Sequence, residues 1–118
     1  MIDKNRLTAY PQTSAEKEAQ LEELIRQDPG NSHAKKTLAF TYYTNQKYEK
    51  AIRLYSQLSQ QDGKDPAVHF YMGNTLYRLK SFQEAIQSWE RAIEMDTTGI
   101  YKERAQQRID MAQSMDLK

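Results

Sequence analysis

The sequence predicts an all-α fold of six helices joined by short connections, which favours antiparallel neighbours. Three observations carry that reading. Apolar residues recur three and four positions apart in every long segment, no segment alternates as a half-buried strand would, and the chain superposes on itself when slid by 34 places.

The helices follow in order from their punctuation. Thr13, with Glu16 three places later, has the spacing of a capping box and opens a helix carrying Ala15, Ala19, Leu21, Leu24 and Ile25. That helix ends near Gln27 at Asp28-Pro29-Gly30, because proline disfavours helical geometry in the residue before it. Asn31 or Ser32 caps a second helix, whose stripe is Ala34, Leu38, Ala39 and Tyr42 and which is expected to reach Gln46. The third runs from Tyr48 to about Gln60 on Ala51, Ile52, Tyr55 and Leu58, and Asp62-Gly63-Lys64 closes it. Asp65-Pro66 opens the fourth: aspartate accepts free amide hydrogens, and proline suits the first helical position. This helix is expected to use Met72, Gly73, Leu76 and Leu79 up to Lys80, and the fifth to use Phe82, Ala85, Ile86, Trp89, Ala92 and Ile93. Thr97 or Thr98 is the expected cap of a sixth helix carrying Tyr101, Ala105, Ile109 and Ala112.

The 34-place shift lays Leu38-Ala39 on Met72-Gly73, Tyr43 on Tyr77, Tyr48 on Phe82, Ala51-Ile52 on Ala85-Ile86 and Tyr55 on Trp89. Caps fall on caps and core residues on core residues. On these residues the chain resembles the tetratricopeptide repeat (TPR) family, whose pattern of Trp, Leu-Gly, Tyr, Ala, Phe and Pro describes one helix pair. Leu38-Ala39, Tyr42, Ala51 and Tyr55 fill the first copy, and Met72-Gly73, Leu76, Ala85 and Trp89 the second. The departures are Lys35 and His69 in the Trp slot and Gly63 and Thr97 in the Pro slot. The resemblance implies a right-handed helical-hairpin stack, a TPR-like α-solenoid. A segment 1–12 precedes a domain at 13–115, made of a half-repeat helix (13–27), repeats at 32–62 and 66–96, and a capping helix (98–114). Gly73 is read as the point where two helix backbones nearly touch. Glu16, Glu18, Glu22 and Glu23 are read as the polar outer side of the first helix, as suits an end of a stack.

Composition narrows the function. At 118 residues, with 38% hydrophobic and 28% charged residues, the chain has enough apolar content for one core. Its 17 basic and 16 acidic side chains nearly cancel, which removes the electrostatic footprint of a nucleic-acid binder. No run of apolar residues is long enough to span a bilayer, so no direct membrane insertion is expected. Without cysteine there is no disulfide, thiol nucleophile or thiolate metal site. The expected compartment is cytoplasmic by default, or periplasmic or membrane-tethered if a leader was trimmed.

Catalysis needs convergent acid, base or nucleophile groups, and the chain offers only His33 and His69 with scattered carboxylates. His33 reads as exposed and His69 as packed, and no His pair lies three or four apart for a metal. No enzyme activity, metal or cofactor is expected. The stronger signal is aromatic. At about 100° per residue, Lys36, Phe40 and Tyr43 point nearly together, away from the core stripe. Phe70, Asn74 and Tyr77 repeat the arrangement, with Tyr71 and Arg78 beside them. The resemblance implies that these eight residues line a concave groove for a peptide or helix of a partner protein. A grip on a terminal carboxylate, as in one subfamily, needs Lys and Asn one turn apart, and neither copy has both. The expected function is a non-enzymatic interaction module acting as scaffold or assembly factor. The alternative is a structural module that self-associates through its terminal helices into a homo-oligomer.

Overall fold

The computed structural model describes residues 13–116, so the segment 1–12 lies outside the described residues. Six helices follow one another: α1 (Ser14–Gln27), α2 (Ser32–Thr44), α3 (Tyr48–Gln61), α4 (Pro66–Arg78), α5 (Phe82–Met95) and α6 (Ile100–Asp116). Each packs on the next, and α2, α4 and α6 also touch in sequence, as they must when hairpins stack with their first helices side by side. No strand occurs among the described residues.

Three helix starts are built as their cap residues dictate. The Thr13 hydroxyl accepts the Glu16 amide hydrogen at 3.1 Å, and Asn31 Oδ1 accepts that of Ala34 at 3.0 Å. Asp65 Oδ1 accepts that of Ala67 at 3.0 Å, with Pro66 in the first turn.

Both first helices of the repeats stop two residues short of the expected ends, at Thr44 instead of Gln46 and at Arg78 instead of Lys80. The reason is a left-handed residue: Gln46 has φ 63° and Lys80 has φ 66°. The chain then folds back so that the Lys47 amide donates to the Tyr42 carbonyl at 2.8 Å and the Ser81 amide to the Leu76 carbonyl at 2.9 Å. These bonds satisfy carbonyls that the helix end would leave unpaired. Because the two residues are 34 apart, the repeat extends to this backbone turn.

At α6 the Thr98 hydroxyl accepts the Ile100 amide hydrogen at 3.3 Å, as expected of a cap, and a carboxylate two residues earlier takes the next amides. Asp96 accepts from the Thr98 amide (2.8 Å) and hydroxyl (2.7 Å) and from the amides of Tyr101 (2.9 Å) and Lys102 (2.8 Å). The Thr98 hydroxyl, with these amides, holds the Asp96 carboxyl down at about 2. Gly99, at φ 87°, lets the chain turn inside that cradle, and α6 then continues to Asp116, past the expected 114.

The core is divided along the stack. One cluster joins Leu38, Ala39 and Tyr42 of α2 to Ala51, Tyr55 and Leu58 of α3 and Val68 of α4, with Leu21 and Ile25 of α1 against it. The second joins Phe70 and Leu76 of α4 to Ala85, Ile86, Trp89 and Ala92 of α5 and Ala105, Ile109 and Ala112 of α6. Tyr71 and Met72 pack against both.

Two expectations are corrected here. A Cβ at Gly73 would meet the indole of Trp89, at 2.5 Å from Cδ1 and Nε1, so the glycine accommodates a side chain and not a second backbone. Glu18 is not on a solvated face. It is 4% exposed, and it accepts from Asn45 Nδ2 at 2.9 Å and Lys47 Nζ at 2.7 Å, tying α1 to the turn between α2 and α3. Burial pushes its pKa up, but the bonds from Lys47 and Asn45 outweigh that and bring it below the usual value.

Candidate peptide-binding groove

Side chains from α2, α4 and α6, with Tyr48 at the start of α3, meet on one side of the stack in a continuous ladder of rings. Tyr48 lies 5.8 Å from Tyr43, Tyr43 lies 6.4 Å from Phe40, and Phe40 crosses from α2 to α4 by meeting Tyr71 edge-on at 5.1 Å. Tyr71 meets Phe70 at 5.2 Å, and Phe70 crosses to α6 by meeting Tyr101 at 5.5 Å. Edge-to-face contacts at such distances contribute beyond the apolar area they bury, so the rungs hold one another in place. The α2 rungs Phe40 and Tyr43 share a face because they are three apart on a helix, whereas α4 contributes the consecutive Phe70 and Tyr71, whose rings meet each other.

A pocket of 260 Å³ opens on this ladder, lined by Lys36, Phe40, Tyr55, Ala67, Val68, Tyr71 and Tyr101. Its walls are almost wholly aromatic and aliphatic. Its one cation, the Lys36 ammonium, is 2.6 Å from Asp65 Oδ2. Phe40 is 41% exposed, which makes it the most open ring of the ladder.

The predicted groove residues divide in three. Lys36, Phe40 and Tyr71 line the pocket, with Tyr43 stacked on Phe40 and exposed Arg78 beside the Tyr43 hydroxyl, which raises the guanidinium's pKa. Phe70 and Asn74 are corrected, being 2% and 4% exposed. Phe70 fills the seam between α4 and α6 beneath the Arg108 guanidinium, 5.3 Å from its ring, and Asn74 Oδ1 accepts the Trp89 indole hydrogen at 3.0 Å. Buried polar groups need such partners, and the Asn74 carbonyl finds its own within the fold. Tyr77 is the third case. Its hydroxyl donates to Met115 Sδ at 3.1 Å and its ring lies 5.1 Å from Phe82, away from the pocket.

Sequence reasoning missed Tyr55, Ala67, Val68 and Tyr101 as pocket walls. A second application of the 34-place shift carries Ala67 onto Tyr101, Phe70 onto Arg104 and Asn74 onto Arg108, so the period itself holds a signal for the α6 contribution. Burial, then Tyr71 and Asp65, raises the Tyr101 pKa, while Lys36 and Arg104 act in the opposite direction.

Neither histidine lines the pocket. His69 is 5% exposed with Nε2 2.8 Å from the Gly63 carbonyl, and His33 is exposed. Among the described residues no group of three or more His, Cys, Asp or Glu is placed to hold a metal ion, and no helix is long and apolar enough to cross a membrane.

A stack of paired helices with open aromatic walls defines a helical-repeat module, and repeats of this kind support a protein-interaction scaffold. Family models of the tetratricopeptide repeat match residues 18–70 and 66–98, and the chain belongs to that family. It is similar to the TPR repeat-containing protein YpiA of Bacillus subtilis (strain 168), at 31% identity over 72 residues. That match covers 61% of this chain and 17% of YpiA. Among solved structures it resembles MamA AMB-1 in a P212121 form, with TM-score 0.72 and 25% identity over 83% of this chain and 52% of that one. MamA MSR-1 in a C2 form aligns with TM-score 0.62 and 25% identity over 84% of this chain and 65% of that one. The chain thus spans a small part of YpiA and about half to two-thirds of the MamA chains. Repeats of this family are typically non-catalytic interaction modules.

Proposed function

We propose that this protein is a scaffold or assembly module that holds a peptide or helix of a partner protein against the face formed by α2, α4 and α6. The observation that carries the reading is the aromatic ladder, open at Phe40 and at the 260 Å³ pocket. Rigid rings give a large contact area at small entropic cost, and residues of this type in a desolvated pocket carry most of the binding energy of an interface. A fully structural ladder would be closed over, as Phe70 is at its α6 end.

The test is capture from native lysate with wild type and with Phe40→Ala/Tyr43→Ala, followed by mass spectrometry. Partners retained by wild type are expected to drop by at least about 2 kcal/mol in affinity, or roughly thirty-fold, in the double variant. A partner held equally by both variants would remove the groove from the reading.

A second reading, self-association through the terminal helices, is favoured by Ile100, Met111 and Met115 of α6, which are 57%, 60% and 55% exposed. Light scattering across a concentration series separates the two. A dimer abolished by Met111→Lys but not by Phe40→Ala supports self-association.

A further inference from the structure

The groove carries more positive charge than the chain as a whole. Against a net charge of +1 for the protein, the cations gathered around the ladder are Lys36, Arg78, Arg104 and Arg108. Lys36 is matched by Asp65 at 2.6 Å. The other three belong to no ion pair among the described residues, and all three are exposed. Arg78 stands among Tyr43, Tyr48 and Tyr77, with the Tyr43 hydroxyl acting on it most strongly, and Arg108 lies on the Phe70 ring. Two acidic groups of α6, Glu103 and Asp110, open on a different recess, with Ile93 of α5 and Gly99.

We infer that the groove's ligand is an internal acidic segment of a partner protein, with one aliphatic or aromatic side chain seated in the pocket between Phe40, Tyr71 and Tyr101 and its carboxylates beside Arg78, Arg104 and Arg108. This inference rests on the groove reading above and names the chemistry of its ligand. The pocket, at 260 Å³, is below the range of about 300–1,000 Å³ typical of drug-sized ligands and suits a single side chain. A nucleic-acid backbone would satisfy the arginines but leave this apolar recess unfilled. A chain-terminal carboxylate is poorly served, because Lys36 is already bound to Asp65 and Asn74 to Trp89. Carboxylates within the segment meet guanidiniums that have no ionic partner of their own, and such complementarity sets orientation and excludes basic competitors.

The test uses short acetylated and amidated peptides with a central Leu, Phe or Ala, flanked by Glu, Ser or Lys, titrated into the full chain by fluorescence polarisation. The Glu-flanked Leu and Phe peptides are expected to bind about ten-fold or more tighter than the Ser-flanked or central-Ala peptides, with no binding of the Lys-flanked set. Arg78→Glu/Arg104→Glu should reduce that binding at least about ten-fold while its circular dichroism and melting point match wild type. Phe40→Ala should abolish the preference for central Leu or Phe. Equal binding of Ser- and Glu-flanked peptides that Phe40→Ala still weakens would overturn the acidic ligand and leave the groove standing. Glu-flanked binding indifferent to Phe40→Ala, or matched by an oligothymidylate, would mean a charged surface only and would overturn both. Absence of binding by every peptide would overturn the acidic ligand, with the lysate capture deciding the groove independently.

Discussion

Gly73→Ala isolates the contact that sets the spacing of α4 and α5. The added Cβ would lie 2.5 Å from Cδ1 and Nε1 of Trp89 and 2.9 Å from Cγ, where ordinary contact begins at 3.4 Å, so the indole must recede by about 1 Å. Trp89 has little room to do so. It is 1% exposed, the Tyr77 ring is 5.9 Å away, and its indole hydrogen is committed to Asn74 at 3.0 Å. Overpacking of this kind costs about 1–3 kcal/mol, and weakening the indole–amide bond adds about 1 kcal/mol. Replacing a mid-helix glycine by alanine returns about 1 kcal/mol. The balance is about 2 kcal/mol of destabilisation, or a fall of roughly 6–10 °C in melting temperature for a domain of this size. Thermal and urea unfolding followed by circular dichroism measure it. Because Trp89 is the single tryptophan, its emission reports independently and is expected to shift to the red. Gly30→Ala is the control, since its Cβ would meet only Asp28 Oδ1 at 3.8 Å. A Gly73→Ala variant melting at or above wild type, with unchanged emission, refutes the packing argument.

Gln46→Gly and Lys80→Gly should each stabilise by about 0.5 kcal/mol, since the left-handed conformation costs a side-chain-bearing residue about 1–2 kcal/mol, partly offset by the greater unfolded-state freedom of glycine. The two sites lie in different repeats, so the gains should add in a urea titration. Acid should unfold the protein in two overlapping stages, because Glu18 and Asp96 both have folded-state pKa values below their ordinary ones. Their stabilisation is complete above the unfolded values and is lost as pH falls, for Glu18 from 4.5 downward and for Asp96 from 3.8 to about 2. Melting temperature measured against pH should therefore decline below about pH 4.5, and Glu18→Gln should flatten the upper part of the decline while Asp96→Asn flattens the lower.

Much of the fold was legible because it is a repeated local code. Caps such as Asn31 and Asp65-Pro66, and stripes such as Leu38-Ala39-Tyr42, act within a few residues, and their recurrence at 34 places removes ambiguity about which helix pairs with which. What escaped depends on contacts between distant parts. Helical periodicity cannot say that a neighbour covers Phe70 but leaves Phe40 open; the difference is α6, which lies beside α4 and not beside α2. Nor does it separate Glu18 from Glu16 and Glu22, because burial of Glu18 is made affordable by Lys47 and Asn45, more than 25 residues away. Gln46 and Lys80 were hidden for another reason, since neither residue type favours a left-handed backbone and the turn is imposed by the packing on either side.

The divided core has a consequence for cooperativity. In a linear array each unit is stable only through its interface with the next, and here two side chains, Tyr71 and Met72, span the two apolar clusters. Weakening that junction with Tyr71→Ala should let the α1–α3 end open without the α4–α6 end, so that amide hydrogens of α3 exchange before those of α5. Because Tyr71 is also a wall of the pocket, whatever fills the pocket presses on the same joint. Occupancy would then bind the two halves into one unfolding unit, and a bound segment would be felt as slower exchange in helices it never touches.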